Sequence, residues 1–127
     1  MINNIFFILL WMMFMHIVDD YYLQGWLASA KQKSWWEKNA PNKLYKNDYM
    51  MALACHGFSW AFMPMLPLAM SNYSNWWIGF VVVNMIIHCF VDNLKANKLK
   101  INLITDQLLH VVQLLVSWML YTNVCMS

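Results

Sequence analysis

Four apolar stretches dominate the chain, roughly Ile5–Leu23, Met50–Met70, Trp76–Leu94 and Leu103–Val124. Each is long enough to cross ~30 Å of hydrocarbon at about 1.5 Å per residue. Backbone groups in lipid must satisfy one another, so runs of this length dictate helices that cross a bilayer side by side. Composition agrees. Apolar residues make up 61% of the 127 and charged residues 11%, where a soluble domain carries roughly a quarter charged. Too few polar side chains remain to cover a soluble monomer, and the chain is equally unlike a disordered, collagenous or disulfide-framed sequence. The expected fold is therefore all-α: one integral membrane four-helix bundle over residues 1–127. Pro64 and Pro67 should kink the far end of the second span without breaking it.

Loop charge sets the expected orientation. Lys31, Lys33, Lys38, Lys43 and Lys46 lie in the first loop and Lys95, Lys98 and Lys100 in the third turn; the middle loop and both termini carry no basic side chain. With alternating spans the two lysine-bearing loops share a side, and the positive-inside rule makes it cytoplasmic. Both termini are then non-cytoplasmic. Tyr21, Tyr22, Trp26, Trp35 and Trp36 fit an aromatic belt at the inner face, and Tyr73, Trp76, Trp77 and Tyr121 fit one at the outer face. The segment Trp26–Lys38 is expected to form a short helix lying along the inner surface, with a solvated loop as the plain alternative.

Several chemistries drop out. The net charge of +2 is small and scattered, and all eight basic residues are lysine, which removes bidentate arginine readout and leaves no expectation of a nucleic-acid partner. Ala28-Ser29-Ala30 looks like a signal-peptide cleavage site, yet the chain opens MINN with no charged n-region, so an uncleaved first helix is expected. Cys55, Cys89 and Cys125 stand alone inside spans and read as small apolar core residues.

What remains is where the ionisable residues fall. His16, His56, His88 and His110 lie within the spans, and so, or nearly so, do Asp19, Asp20, Asp92 and Asp106. Each buried Asp near a span centre costs ~2.5–3.5 kcal/mol, less toward the interface. Their spacing is helical. His16, Asp20 and Gln24 form one stripe, Asn84, His88, Asp92 and Lys95 a second, and Asp106, His110, Gln113 and Ser117 a third. His56 has Ser59 and Trp60 as its neighbours on the second helix. Such stripes must face the bundle interior, and alternating helices bring all of them to one level in the inner leaflet.

A His–Asp pair at i and i+4 supplies two metal ligands from one face. Imidazole with carboxylate suits Zn, Mn or Fe, and this set is enough for one or two divalent ions. His16, Asp20, His56, His88, Asp92, Asp106 and His110 are the expected metal ligands. Lys95, at the rim of its stripe, and Asp19, beside Asp20, are the candidates for a reacting role, with Lys95 receiving anionic charge. Asn84, Gln24, Gln107 and Gln113 are expected to support the ligands at most. For a single pair, hydrogen bonding across helices would be the simpler account; three pairs and His56 at one depth favour a site.

The motifs HIVDDYYLQ, ACHGF, HCFVDNLKAN and DQLLH resemble a family of small bacterial and phage four-helix membrane proteins classed as a domain of unknown function. Its pattern looks like HxxxDFxLQ, a lone His, HxxxDxxK and DQxxH, which marks His16, Asp20, Gln24, His56, His88, Asp92, Lys95, Asp106, Gln107 and His110 here. Tyr21 stands where the family often has Phe, and Asp19 lies outside the pattern. More distantly the arrangement is similar to membrane-bound metal-dependent hydrolases.

The expected function is thus a membrane-embedded metal-dependent hydrolase in the bacterial inner membrane. Metal-activated water would attack a lipid-linked or phosphorylated substrate at the cytoplasmic leaflet. The alternative is a non-enzymatic phage or bacterial protein that binds a host membrane partner, with the His/Asp cluster as structural core. A conduit ranks third, because only Gln113 and Ser117 hint at polarity continuing outward. Lipid-facing Trp and Met surfaces leave room for a homo-oligomer.

Overall fold

The computed structural model describes residues 4–71 and 75–126, the last two as helix backbone. Tyr73 and the Cys125 side chain, assigned above to the outer belt and the core, lie outside the described residues. Helix α1 spans Ile5–Ile17, and Asn4 caps it by accepting hydrogen bonds from the Phe6 and Phe7 amides at 3.0 and 3.1 Å. Two short helices follow, α2 (Leu27–Ala30) and α3 (Lys33–Asn39), then three long ones, α4 (Asp48–Met70), α5 (Trp77–Ala96) and α6 (Leu103–Met126). Asn102 caps α6 through the Thr105 amide at 2.9 Å. Among the described residues none lies in a strand.

Four helical stretches are long and apolar enough to cross a membrane: Ile5–Leu23, Lys43–Met70, Trp77–Ala96 and Leu103–Val124. They close a ring in chain order, α1 against α4, α4 against α5, α5 against α6 and α6 back against α1. The second span is the most enclosed, with 56% of its apolar stretch buried against 28% for each of the others. It continues through Pro64 and Pro67 to Met70. The interior is layered. Ile8, Met12, Met65, Leu68, Val81 and Leu114 make a dry core toward the end that holds the chain termini. The His and Asp residues fill the end beneath the lysine loops. Between them Asn84 Nδ2 donates to Ser117 Oγ at 2.8 Å and Gln113 Nε2 to the Asn84 carbonyl at 2.8 Å, the outward continuation of polarity at which Gln113 and Ser117 hinted. Leu10, Phe14, Ile86, Phe90, Val112 and Val116 point outward and exposed, the inversion expected of a lipid-facing surface.

Three local expectations are corrected. Tyr121 is in the core, 1% exposed, because its hydroxyl donates to the carbonyl of Leu68 at 3.1 Å and needs that buried partner. Cys55 faces outward, since it follows the outward side of α4 while His56 takes the inward one. The Trp26–Lys38 segment is neither one surface helix nor a solvated loop. It breaks at Gln32, whose backbone is extended, and turns Ala30 and Lys31 inward. Trp26, Trp35 and Trp36 still cluster edge to face at 5.1–6.0 Å between ring centres.

Candidate metal centre

The first span is not α-helical to its end. From Val18 to Leu23 it widens into a π turn, in which the Gln24 amide donates to the Asp19 carbonyl five residues back at 3.1 Å. Gly25, at φ +49°, then takes the left-handed conformation that releases the chain into α2. Successive α-helical residues are separated by ~100°, so only one of two neighbouring Asp residues would face inward squarely; in the wide turn both are buried, Asp19 at 0% and Asp20 at 6% exposure. Single-turn π segments recur at functional sites. Gln24 donates its side-chain amide to the Asp20 carbonyl and so fastens the turn to itself.

Asp92 on α5 is the hub. Its Oδ2 lies 2.5 Å from Lys31 Nζ, 3.2 Å from His56 Nε2 and 3.8 Å from His88 Nε2, and its Oδ1 lies 3.6 Å from His110 Nε2. The imidazoles form a row, with His56 Nε2 at 3.1 Å from His88 Nε2, and His88 Nδ1 at 3.2 Å from His110 Nδ1. Trp60 stacks flat on His88, ring centres 4.1 Å apart, and forms the apolar roof. Asp20 Oδ1 reaches His56 Nε2 at 3.5 Å on one flank, and Asp106 Oδ1 reaches His110 Nε2 at 3.4 Å on the other.

Among the described residues two groups converge closely enough to share an ion: Asp20 with His56 and His88, and His88 with Asp92 and His110. Asp106 adjoins the second through His110. The fit can be tested on partners. Lys31 and Lys95 each bind Oδ2 of one carboxylate, Asp92 and Asp106 respectively, both at 2.5 Å. The remaining Oδ1 atoms of Asp92 and Asp106, and His110 Nε2 between them, are buried without a hydrogen bond. Donors about 2.0–2.2 Å from a tetrahedral ion stand roughly 3.4 Å from one another; His110 Nε2 stands 3.4 Å from Asp106 Oδ1 and 3.6 Å from Asp92 Oδ1, spacings that suit an ion and equally suit two direct ion pairs. Zn, Mn or Fe matches this mixture of imidazole and carboxylate.

The other expected residues are accounted for as follows. His16 uses both ring nitrogens within the bundle: Trp60 Nε1 donates to Nδ1 at 2.7 Å, and Nε2 faces Gln107 Oε1 at 3.1 Å. These partners make Nε2 the protonated nitrogen, and His16 belongs to neither convergent group among the described residues. Asp19 accepts from Ser59 Oγ at 2.5 Å, on the α4 side and apart from the imidazole row. Lys95 is tied to Asp106 and is not free at a rim.

Two contributors matter more than the sequence suggested: Lys31, which carried no distinctive signal, and Gln107, expected only as a support of the ligands. Lys31 is 6% exposed and reaches further in than any other lysine, yet in sequence it is one of five in the first loop. Asn97 holds it there, donating Nδ2 to the Lys31 carbonyl at 3.1 Å and accepting the Lys33 amide at 2.7 Å. Gln107 is the second. Its Nε2 donates to Asp20 Oδ2 at 2.7 Å and Asp106 Oδ2 at 3.2 Å, bridging the first and last helices.

The chain belongs to the DUF3307 family, described as protein of unknown function, which matches residues 6–127 and therefore every residue of the cluster. No curated protein and no solved structure matches the chain.

Proposed function

We propose that this protein holds one or two divalent ions, Zn, Mn or Fe, in a membrane-embedded His–Asp centre and hydrolyses a lipid-linked or phosphorylated substrate at the cytoplasmic leaflet. The carrying observation is the convergence of buried imidazole and carboxylate groups in two sets, Asp20 with His56 and His88, and His88 with Asp92 and His110. Charge supports it: four buried carboxylates, Asp19, Asp20, Asp92 and Asp106, face two ammonium groups, Lys31 and Lys95. The two negative charges left over call for one divalent cation or two added protons in a medium that tolerates neither excess. A bound ion would supply Lewis acidity toward a phosphoryl oxygen and a nucleophile from water at neutral pH. His56, His88, His110, Asp20, Asp92 and Asp106 would hold it, while Lys31 and Lys95 aim the carboxylates.

Lys33, Lys38, Lys43, Lys46, Lys98 and Lys100 stay exposed at the cluster end, which supports a cytoplasmic placement of that end in a bacterial inner membrane. Metal analysis of detergent-purified, dialysed protein tests the reading. At least one Zn, Mn or Fe per chain is expected, lost in Asp92→Ala and His110→Ala along with any phosphoester hydrolysis. Folded wild type that neither carries nor takes up these ions would overturn the reading. One observation favours a second reading, a non-enzymatic protein that binds a host membrane partner: the Lys31–Asp92 and Lys95–Asp106 pairs already tie loop to helix and helix to helix. That reading expects no metal, and destabilisation in the same variants.

A further inference from the structure

The seam between α1 and α6 joins the first and last spans, and it does not close. A groove of about 490 Å³ opens there on the outward surface, walled by Met13, Ile17 and Val111, with Tyr21 and Tyr22 at its mouth. Its floor is polar, made of His16 and Gln107. Behind the half-buried Gln107 amide lie the carboxylates of Asp20 and Asp106, 2.7 and 3.2 Å from its Nε2. One flexible side chain therefore separates a lipid-facing groove from the centre.

Among the described residues, two other approaches are less direct. From the loop end, Ala30 at 0% and Lys31 at 6% exposure cover the cluster, held by Asn97. A second outward groove, about 310 Å³ between α5 and α6, has Asn84, Gln113 and Ser117 as its polar lining and reaches no His or Asp. Polar groups that open onto lipid are costly without a use, and an apolar trough ending at tyrosines fits a molecule with an acyl chain and a polar head.

We propose that the α1–α6 seam is a lateral portal for a phosphate-bearing lipid. The acyl chain lies along Met13, Ile17 and Val111, and the headgroup passes Tyr21 and displaces the Gln107 amide to reach the cluster. This rests on the metal reading, because uncompensated carboxylates would repel a phosphate. Gln107 acts as a positioning residue that holds Asp20 and Asp106 until the headgroup arrives.

The test uses the full-length chain, loaded with Zn or Mn, in phosphatidylcholine nanodiscs. The probe is phosphatidic acid with a photoactivatable acyl chain, and cross-links are mapped by mass spectrometry. Labelling is expected to concentrate at Met13, Ile17 and Val111 and to be competed away by unmodified phosphatidic acid. It should fall to the level of a diacylglycerol probe with the same chain when Val111→Trp fills the groove. If that variant does not fold, competition on the wild type decides alone. Labelling spread evenly over the outward faces, or insensitive to competition, overturns the portal. Seam labelling without turnover keeps the portal and removes the hydrolase; turnover without seam labelling removes the portal only.

Discussion

The spacing between α4 and α5 decides whether His56 and His88 meet, and Gly57 sets that spacing. A Cβ added at Gly57 would lie 2.2 Å from Cys89 Sγ, 3.4 Å from the Met85 carbonyl oxygen and 3.7 Å from Cys89 Cβ. Ordinary contact begins near 3.4 Å, so Gly57→Ala meets a shortfall of about 1.2 Å against the sulfur alone. Forcing one methyl into a packed contact costs about 1–3 kcal/mol, and the better helix propensity of Ala returns up to ~1 kcal/mol. A net loss of about 0–2 kcal/mol follows for the single variant. Cys89→Ala removes the clashing atom and leaves the other two contacts ordinary, so the double variant should be near wild type, with a coupling of about 1–3 kcal/mol. Function should move with packing. Gly57 and Cys89 adjoin His56 and His88, whose Nε2 atoms stand 3.1 Å apart, and an opening of about 1 Å there spoils geometry that metal sites hold to ~0.2 Å. Thermal unfolding and metal content, measured on wild type, both singles and the double in one detergent, make the assay. If the Cys89 sulfur instead swings away, giving up only its weak contact of 3.4 Å with the Leu53 carbonyl, Gly57→Ala changes neither quantity. That outcome, or a double variant no better than the single, refutes the reasoning.

Two further predictions follow from charge. Lys31→Met leaves Asp92 buried with one compensating cation fewer, so the metal-free protein should lose about 3–5 kcal/mol, and added Zn or Mn should raise its melting temperature more than the wild type's; equal shifts would sink the charge-balance argument. A topology reporter fused after Ser127 should report the non-cytoplasmic side and one inserted near Asn39 the cytoplasm, whereas a cytoplasmic C-terminal signal would invert the leaflet assigned to the site.

Legibility in the sequence follows the range of the interactions. The four spans were readable because their signal is a run of about twenty apolar residues and needs no partner. The inward stripes of α5 and α6 were readable because 3.6-residue periodicity is local: His88, Asp92 and His110 converge, and Asp106 joins them through His110, as that periodicity implies. The same rule put His16 and Asp20 together on α1, where the π turn intervenes and His16 is spent on Trp60 and Gln107. Nothing in six consecutive residues announces that widening. Lys31 was illegible for another reason: its burial depends on Asn97, 66 residues away, gripping the loop backbone. Tyr121 shows the limit of composition, since an aromatic near a span end suits an interfacial belt or a buried hydroxyl equally, and the Leu68 carbonyl chooses.

On the metal reading proposed above, the two inward lysines would let a chain without arginine build a site for a cation. A lysine placed against a carboxylate would normally compete with a metal for it, since both seek the same lone pairs. Here each ammonium takes Oδ2, Lys31 on Asp92 and Lys95 on Asp106, and leaves Oδ1 turned toward His110 Nε2. His110 Nδ1 faces His88 Nδ1 at 3.2 Å, which turns its other nitrogen toward the two Oδ1 atoms. Competition thus becomes orientation, and the desolvation cost of each carboxylate is partly met before any ion binds. The same arrangement explains why the cluster lies beneath the lysine loops and not at mid-span. Lys31 and Lys95 leave the bundle through loop and helix end, so the only depth at which they can reach these carboxylates is within a few residues of that end. On that reading the centre lies toward the loop end of the bundle because its counter-charges must be anchored outside the hydrocarbon.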